Sequence, residues 1–381
     1  MMRPVKLAGS ELMFGKGCLE YIKTLHYKRV CIVVGGSSMQ RSGMLDKVIG
    51  YFQESGAQVR VISGVEPDPS IATVRRGAKE MLEFEPDLIV GMGGGSAMDA
   101  GKTMWVFYEH PELTKMEDIL PPNPFPTLRH KAKYCCIPST SGSASEVSRS
   151  VVITDDEGMK RGLGNMEMMP DIAICDPEVC ASMPPRITAE TGMDALTHAL
   201  EALVSNRAHY LSDVLAQAAA KDIIDVLPVA YADGSNLDAR EIMANASMIA
   251  GMAFTNVSLG IVHSIAQTLG GFFHISHGVA DAILLPYIMK FNSDEPYAKA
   301  KYDAFAASIG RRDLIQVVKE LNHILGIPGT LKEVLPDEEA FLAKVDEMAV
   351  VSKADGCTKT NPIIPSVEQF RALILQAYYG E

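Results

Sequence analysis

The chain has 381 residues, enough for two domains and a large hydrophobic core, and its apolar share of 47% is typical of a globular enzyme. A net charge of −12 disfavours nucleic acid and anionic membrane surfaces as partners, because both repel an acidic protein. The seven cysteines are odd in number, lie mostly in apolar runs and lack zinc-finger spacing, which indicates reduced thiols in a cytoplasmic protein rather than a disulfide framework.

The first half of the chain alternates strand-like and helix-like segments. The N-terminus lacks the apolar core expected of a signal peptide. A short arm precedes the first strand signal. Strand signals, several of them continuous apolar runs, occur at residues 29–34, 58–62, 87–90, 134–137, 151–154 and 172–175. Helical spacing occurs at 45–54 and at 71–84, the second helix following a turn and an N-cap at Ser70. This alternation predicts a Rossmann-like α/β domain with a mainly parallel sheet.

The second half of the chain is helical in character. After the sequence Met183-Pro184-Pro185 there is almost no strand signal, and helical periodicity appears at 213–227, 239–254, 264–269, 297–309, 314–325 and 338–352. We therefore predict a dinucleotide-binding α/β domain over residues 1–184 and an all-helical, metal-binding domain over residues 185–381. The most apolar stretch, 258–289, is interrupted by histidines, glycines and Asp281, so we expect no membrane span.

A glycine-rich segment, GMGGGS, follows the strand signal at 87–90. Glycines at a strand-to-helix turn let the backbone approach a phosphate, and Ser96 with Asp99 three residues later resembles a capping box at a helix start. The segment fits neither the dinucleotide fingerprint, which would need glycine at 96 or 98, nor a P-loop, which would need glycine at 96. Gly94, Gly95, Ser96 and Asp99 are candidate cofactor residues; a tight turn without a ligand remains the alternative.

Two further loops add to the cofactor prediction. The loop STSGSAS at 139–145 follows another strand signal and offers hydroxyl and N–H donors, and two such loops favour a dinucleotide over a mononucleotide. After the first strand stand Gly35, Gly36, Ser37 and Ser38, with no acidic residue to hold a ribose 2′-hydroxyl. That leaves room for a 2′-phosphate, with Arg41 as its partner, and favours NADP(H) over NAD(H).

The segment GMDALTHALE at 192–201 places a carboxylate and an imidazole on one helix face. Asp194 and His198 are four residues apart, a spacing that alone is more often a solvated face or an internal hydrogen bond than a metal site. A second cluster, His263, His274 and His277, lies among apolar residues, where an unpaired imidazole would be costly to bury. One carboxylate with three imidazoles makes a site suited to Fe(II) or Zn(II).

Five segments carry a resemblance to a known family. The sequences at 93–102 (GGGSAMDAGK), 138–147 (PSTSGSASEV), 192–201, 260–278 (GIVHSIAQTLGGFFHISHG) and 361–362 (NP) resemble the iron-containing, or group III, alcohol dehydrogenases, in the same order and over nearly the whole chain. The resemblance implies a dehydroquinate synthase-like architecture, in which a Rossmann-like domain and a helical domain border a cleft. It implies the metal ligands Asp194, His198, His263 and His277, pyrophosphate contacts at Gly94, Gly95 and Ser96, and further cofactor contacts at Thr140, Ser143 and Lys160.

The sequence departs from the family pattern at two positions. Gln267 stands where many members carry a further histidine, so any proton relay through that histidine must use another group or water. The hydroxyl loop reads GSAS where the family often has a threonine and a second glycine. His274 is not a ligand in the family; it either lines the pocket, relays protons or forms a helix-end hydrogen bond.

The expected activity is that of a metal-dependent alcohol dehydrogenase or aldehyde reductase, with hydride exchanged between NAD(P) and a primary alcohol or aldehyde. A dehydroquinate synthase-like lyase is one alternative, but its acidic substrate would need several lysines and arginines, and the pocket-forming stretches are poor in them apart from Lys160. A glycerol dehydrogenase-like zinc enzyme is the other. Candidate pocket residues of apolar character, which suggest substrates of modest size, are Met252, Phe254, Phe272, Phe273 and Cys357. We expect a homodimer, the commonest assembly.

Overall fold

Six parallel strands form the main sheet of the N-terminal half, in the order β1-β8-β5-β4-β2-β3. The computed structural model describes residues 4–113 and 115–380. The sheet strands are β1 (Glu11–Phe14), β2 (Arg29–Val34), β3 (Gln58–Ile62), β4 (Leu88–Gly93), β5 (Lys133–Pro138) and β8 (Ile172–Cys175). The remaining two, β6 (Ser150–Thr154) and β7 (Lys160–Gly164), pair antiparallel as a separate hairpin. The mainly parallel α/β domain expected from the sequence is confirmed; β1 and β7 were not predicted.

The central strands are apolar along their length because both faces of the sheet are covered. In β2, Cys31 and Val33 belong to one hydrophobic cluster, whereas Val30, Ile32 and Val34 belong to another. This alternation follows from the two-residue period of a strand, which sends successive side chains to opposite faces. Continuous apolar runs in the sequence thus mark strands buried on both sides.

Five helices belong to this half: α1 (Ser38–Arg41), α2 (Met44–Glu54), α3 (Ile71–Phe84), α4 (Gly95–Glu109) and α5 (Pro177–Cys180). Ser70 caps α3 as expected, its hydroxyl oxygen accepting from the Thr73 N–H at 3.2 Å. The capping box predicted for α4 was wrong. Its N-cap is Gly94, no side chain caps it, and the Asp99 carboxylate is bonded elsewhere. Spacing alone cannot tell a capping box from a carboxylate in the second turn that faces another loop.

From residue 185 onward the described residues form helices and connecting turns, without a strand. This confirms the all-helical C-terminal half. The helices are α6 (Pro185–Val204), α7 (Tyr210–Ala232), α8 (Leu237–Val257), α9 (Ile261–Phe273), α10 (His277–Asn292), α11 (Pro296–Ser308), α12 (Leu314–Ile324), α13 (Leu331–Val334), α14 (Glu338–Leu342), α15 (Val345–Ala354) and α16 (Val367–Tyr379).

The chain divides into two compact units. The first runs to Pro184 and includes Gly234–Met248; the second comprises Pro185–Asp233 and the residues from Ile249 onward. Residues 234–248, which lie beyond the predicted boundary at residue 184, group with the first unit. In the described ranges no single helix is long and apolar enough to cross a membrane; α8 and α9 pass that test only as a pair bent by 102°.

Candidate metal centre and cofactor loops

Helix α6 carries three of the chemically important side chains of the second unit on one face. Asp194, His198 and Glu201 follow one another at intervals of four and three residues, which aligns them along the helix. All three are buried. The Asp194 Oδ1 atom lies 3.5 Å from His198 Nε2, so the carboxylate and the imidazole extend from α6 toward the same region.

Glu201 connects α6 to the start of α9 and orients His263. Its Oε2 accepts from the Gly260 N–H at 2.8 Å and its Oε1 accepts from the Val262 N–H at 2.7 Å. These N–H groups belong to a helix start whose N-cap residue has no capping side chain, so a carboxylate there satisfies donors that would otherwise be unpaired. Glu201 Oε2 also lies 2.7 Å from His263 Nδ1, which turns the other ring nitrogen, Nε2, toward Asp194 at 3.7 Å.

The Asn-Pro motif at 361–362 supports the same helix start. The side-chain oxygen of Asn361 accepts from the Ile261 N–H at 3.2 Å, and its amide nitrogen donates to Asn292 Oδ1 at 2.7 Å. A Cβ on Gly260 would lie 2.6 Å from that Asn361 oxygen, so only glycine fits there. The motif therefore holds α9 in position rather than contributing a ligand itself.

His277 is the first residue of α10, and its position is set by contacts between α10 and α6. Ser276, the N-cap, donates from its hydroxyl to Glu190 Oε2 at 2.6 Å. Gly278 lies so close to α6 that a Cβ there would be 2.1 Å from the Glu190 carbonyl oxygen. His277 Nε2 then lies 3.3 Å from Oδ2 of Asp281, one helical turn later.

Three of the four residues that the sequence nominated as metal ligands join one compact group in this unit, and the fourth, His198, stacks beside it. The His198 and His263 rings stack with centroids 4.6 Å apart, and the His263 and His277 centroids are 5.3 Å apart. One potential ligand atom each from Asp194, His263, His277 and Asp281 lies within 4.8 Å of the others. Sequence reasoning missed Asp281, although its four-residue spacing from His277 repeats the pattern of Asp194 and His198.

The unpaired atoms of the cluster fit a cation. Among the described residues, Asp194 Oδ1, His263 Nε2 and both carboxylate oxygens of Asp281 are buried without a hydrogen-bond partner. Leaving such atoms unpaired away from water is costly, and a divalent ion at their centre would satisfy them together. Carboxylate oxygens and imidazole nitrogens are ligands that Fe(II) and Zn(II) both accept.

The charged groups of the cluster shift one another's pKa values. Burial alone would raise the pKa of Asp194, yet His198, His263 and His277 hold the pKa of that carboxyl well below its usual range. Burial opposes charge on His263, but Asp281 and the other nearby carboxylates raise the pKa of its imidazole well above the ordinary value. Burial also raises the pKa of Asp281. In the apoprotein protons therefore balance the carboxylates, and a divalent cation would compete with them.

Aromatic and polar neighbours border the cluster. Phe254 stacks on His198 with ring centroids 4.4 Å apart, so its ring borders the cluster on that side. Phe273 instead stacks on Phe341 at 5.6 Å, next to the Phe341–Tyr378 pair. His274 is exposed and ends α9 in the left-handed conformation, with φ at 55°, which agrees with the helix-end role considered for it. Gln267 is half-buried on α9, one turn after His263.

In the first unit, the glycine loop and the hydroxyl loop follow adjacent strands. The Ser139 N–H donates to the Gly93 carbonyl at 2.8 Å, and β4 pairs with β5 up to Gly93 and Pro138. A Cβ on Gly95 would lie 2.9 Å from Ser143, and a Cβ on Gly94 would lie 3.5 Å from Thr140. Because α4 starts at Gly95 without a side-chain cap, its first N–H groups are suited to bind an anion beside these hydroxyls.

Asp99 and Lys160, two further candidates, are bonded within the protein. The Asp99 carboxylate accepts from the Ser145 hydroxyl at 2.7 Å and from the Val152 N–H at 2.9 Å, and so fixes the end of the hydroxyl loop. Lys160 Nζ lies 2.8 Å from Asp68 Oδ1. These contacts give Asp99 a positioning role for the loop. Lys160, the first residue of β7, lies next to the turn of the β6–β7 hairpin.

The third candidate loop follows β2. Gly35 and Gly36 lead into Ser37, the N-cap of α1, whose hydroxyl accepts from the Arg41 guanidinium. The guanidinium of Arg41, the last residue of α1, thus lies beside the Ser37 hydroxyl at the end of this loop. Its role as the partner of a 2′-phosphate stays a prediction. Arginine suits phosphate because its planar donors can bind two oxygens at once.

Comparisons with known proteins agree over nearly all of the chain. Residues 9–177 match the family model for iron-containing alcohol dehydrogenase, and residues 188–378 match the model for the C-terminal part of the Fe-containing alcohol dehydrogenase family. The chain is 47% identical to the NADPH-dependent butanol dehydrogenase of Clostridium saccharobutylicum over 97% of both chains. It is 35% identical to the 1-propanol dehydrogenase of Citrobacter freundii over 96% of this chain and 97% of that protein.

A solved structure supports the same assignment. The iron-containing alcohol dehydrogenase from Thermococcus thioreducens superposes with a TM-score of 0.93 at 36% identity, covering 99% of this chain and all of that one. Together with the two family models, this confirms the resemblance carried by the glycine loop and the paired metal segments. The chain therefore belongs to the iron-containing alcohol dehydrogenase family.

Proposed function

We propose that this protein is a metal-dependent alcohol dehydrogenase and aldehyde reductase that exchanges hydride between NADP(H) and a primary alcohol or aldehyde. The observation that carries the proposal is the cluster in the second unit, where carboxylate and imidazole groups from α6, α9 and α10 converge. Among the described residues, Asp194 Oδ1, His263 Nε2 and both Asp281 oxygens of this cluster are buried without a hydrogen-bond partner. When bound, a divalent ion supplies a Lewis acid for the substrate oxygen, while the nicotinamide carries the hydride.

Asp194, His198, His263 and His277 would hold the ion, which we propose to be Fe(II), with Zn(II) the alternative that the same donors accept. The protein contributes rigidity: Glu201 fixes the ring of His263, and the α10–α6 contact fixes His277. Phe254 packs against His198 and excludes water from that side. A dry, preorganised site strengthens every electrostatic interaction within it.

The three loops of the first unit would bind the dinucleotide. The N–H groups at Gly94, Gly95 and Ser96 suit the pyrophosphate, with Thr140 and Ser143 alongside. Gly35, Gly36 and Ser37 leave space for the adenosine ribose, and Arg41 supplies the charge for a 2′-phosphate. Lys160 is proposed as a further contact, and Asp99 as the residue that holds the hydroxyl loop. NADP(H) is favoured, in keeping with the NADPH-dependent relative.

The proposed substrates are primary alcohols or aldehydes of modest size. Relatives named for butanol and 1-propanol suggest primary alcohols or the matching aldehydes for this chain as well. We propose a cytoplasmic homodimer that binds neither nucleic acid nor membranes. The seven cysteines, all free, suit a reducing compartment, and the acidic charge disfavours polyanions.

The test is NADPH oxidation by butanal, followed by absorbance, with apoprotein reconstituted with Fe(II) or Zn(II); NADH is then compared. We expect metal-dependent turnover with NADPH preferred, and its loss in His263→Gln. His323→Gln, at an exposed position on α12, is the matched control and should retain activity. Tight binding of metal and cofactor without turnover of any aldehyde would overturn the proposal and favour lyase chemistry.

A further inference from the structure

Asp281 is a buried carboxylate that the four expected metal ligands leave unexplained. It lies on α10, its side chain is fully buried, and neither oxygen has a hydrogen-bond partner among the described residues. No lysine or arginine in the described part of the chain forms an ion pair with it. Asp281 forms an ion pair with the imidazole of His277, whose Nε2 lies 3.3 Å from Oδ2, but Oδ1 has no hydrogen-bond partner among the described residues. A buried carboxylate oxygen without a donor is costly, and a cation beside it would satisfy it.

The distances around Asp281 are those of donor atoms that share one ion. Two ligands at about 2.1 Å from a metal lie roughly 3.0–3.4 Å apart when the angle between them is between square and tetrahedral. Asp281 Oδ2 is 3.3 Å from His277 Nε2, close to the 3.5 Å that separates Asp194 Oδ1 from His198 Nε2. These separations are long for strong hydrogen bonds but natural for neighbouring ligands.

The arrangement on α10 repeats the arrangement on α6. In each helix a histidine and an aspartate four residues apart share one face, and the two pairs face one another around His263. The ligand atoms of Asp194, His263, His277 and Asp281 lie within 4.8 Å of one another. Donors that share one ion at about 2.1 Å lie at most about 4.2 Å apart, so binding would draw this group slightly together.

We propose that Asp281 is a fifth protein ligand of the metal, beside Asp194, His198, His263 and His277. The inference rests on the metal centre of the proposed function. Two carboxylates balance the charge of a divalent ion, and five protein donors exceed the four of a tetrahedral zinc site. The site should therefore favour ions that accept five or six ligands, such as Fe(II) and Mn(II), and leave a six-coordinate ion a single position not filled by protein.

The test counts water molecules on the metal. Apoprotein is loaded with Mn(II), and the inner-sphere water is counted from water-proton relaxation and from EPR line broadening in ¹⁷O-enriched water. We expect one water in the wild type and an additional one in Asp281→Ala. Asp281→Asn, which keeps the shape but loses the charge, should weaken Mn(II) binding by about 10-fold or more. The affinity for Zn(II) should fall less than the affinity for Mn(II) in both variants, because zinc is commonly four-coordinate in proteins.

The matched control is Asp213→Asn, a carboxylate in the same unit that binds Lys301 at 2.7 Å. It should leave the water count and Mn(II) affinity unchanged. Two inner-sphere waters in the wild type overturn the inference, and so does a water count in Asp281→Ala that equals that of the wild type. Failure of the wild type to bind metal at all would instead refute the proposed function.

Discussion

Replacing Glu201 with glutamine tests whether this carboxylate both closes a helix start and orients a metal ligand. It accepts three hydrogen bonds at 2.7–2.8 Å, from the Gly260 and Val262 N–H groups and from His263 Nδ1. Glutamine has nearly the same shape but a single acceptor oxygen. Whichever way it turns, its NH₂ group faces at least one N–H donor.

The magnitude follows from these contacts. A buried donor left without an acceptor costs about 1–3 kcal/mol, and hydrogen bonds to a charged group are worth about 1.5–3 kcal/mol. We therefore expect Glu201→Gln to lower the free energy of unfolding of the metal-free protein by about 2–4 kcal/mol. If the amide NH₂ faces His263, Nδ1 becomes the acceptor and the proton moves to Nε2, the atom needed by the metal, so affinity should fall by about 10- to 100-fold.

The assay combines urea unfolding of the metal-free protein with chelator competition for Zn(II) or Fe(II). Glu190→Gln is the matched control on the same helix, because a glutamine oxygen there can still accept from the Ser276 hydroxyl. It should shift stability by less than about 1 kcal/mol. Equal stability and equal metal affinity of wild type and Glu201→Gln would refute the role assigned to Glu201.

Three further predictions concern the first unit. Arg41→Ala should raise the KM for NADPH by about 10-fold or more and leave that for NADH unchanged, because only the 2′-phosphate loses a charged partner; equal shifts for both cofactors would contradict this. Gly95→Ala should weaken binding of both cofactors, measured by fluorescence titration, without changing metal content, because its Cβ would lie 2.9 Å from Ser143. Burial raises the pKa of the Glu146 carboxyl from 4.5 to about 7. The unfolded chain thus loses this proton at lower pH than the folded protein, so ionisation disfavours folding progressively between these values. Glu146→Gln should gain stability over the wild type across that window, by about 3 kcal/mol at pH 8 and little at pH 4, in urea unfolding; a gain independent of pH would contradict it.

Much of the fold is encoded in local patterns, and those patterns were sufficient to predict it. Buried parallel strands require continuous apolar residues, and helices require a 3.6-residue period, so the sheet and the helical half were both recognisable. Asp194 and His198 share a face of any helix that contains them, whatever surrounds it. Glycines after a strand likewise indicate a close backbone approach before any ligand is known.

Other features were decided only by tertiary structure, because they join residues that are distant in the chain. Glu201 and His263 are 62 positions apart, and no sequence period shows that one orients the other. Asp99 had the spacing of a capping residue, but the hydroxyl loop packed against α4 offered its carboxylate better donors. In the sequence, Asp281 is only a charged residue within an apolar stretch. The packing of α10 against α6 and α9 places it beside Asp194, His263 and His277. Residue types and local spacing therefore determined which chemistry was available, whereas the long-range packing of three helices determined which side chains converge to perform it.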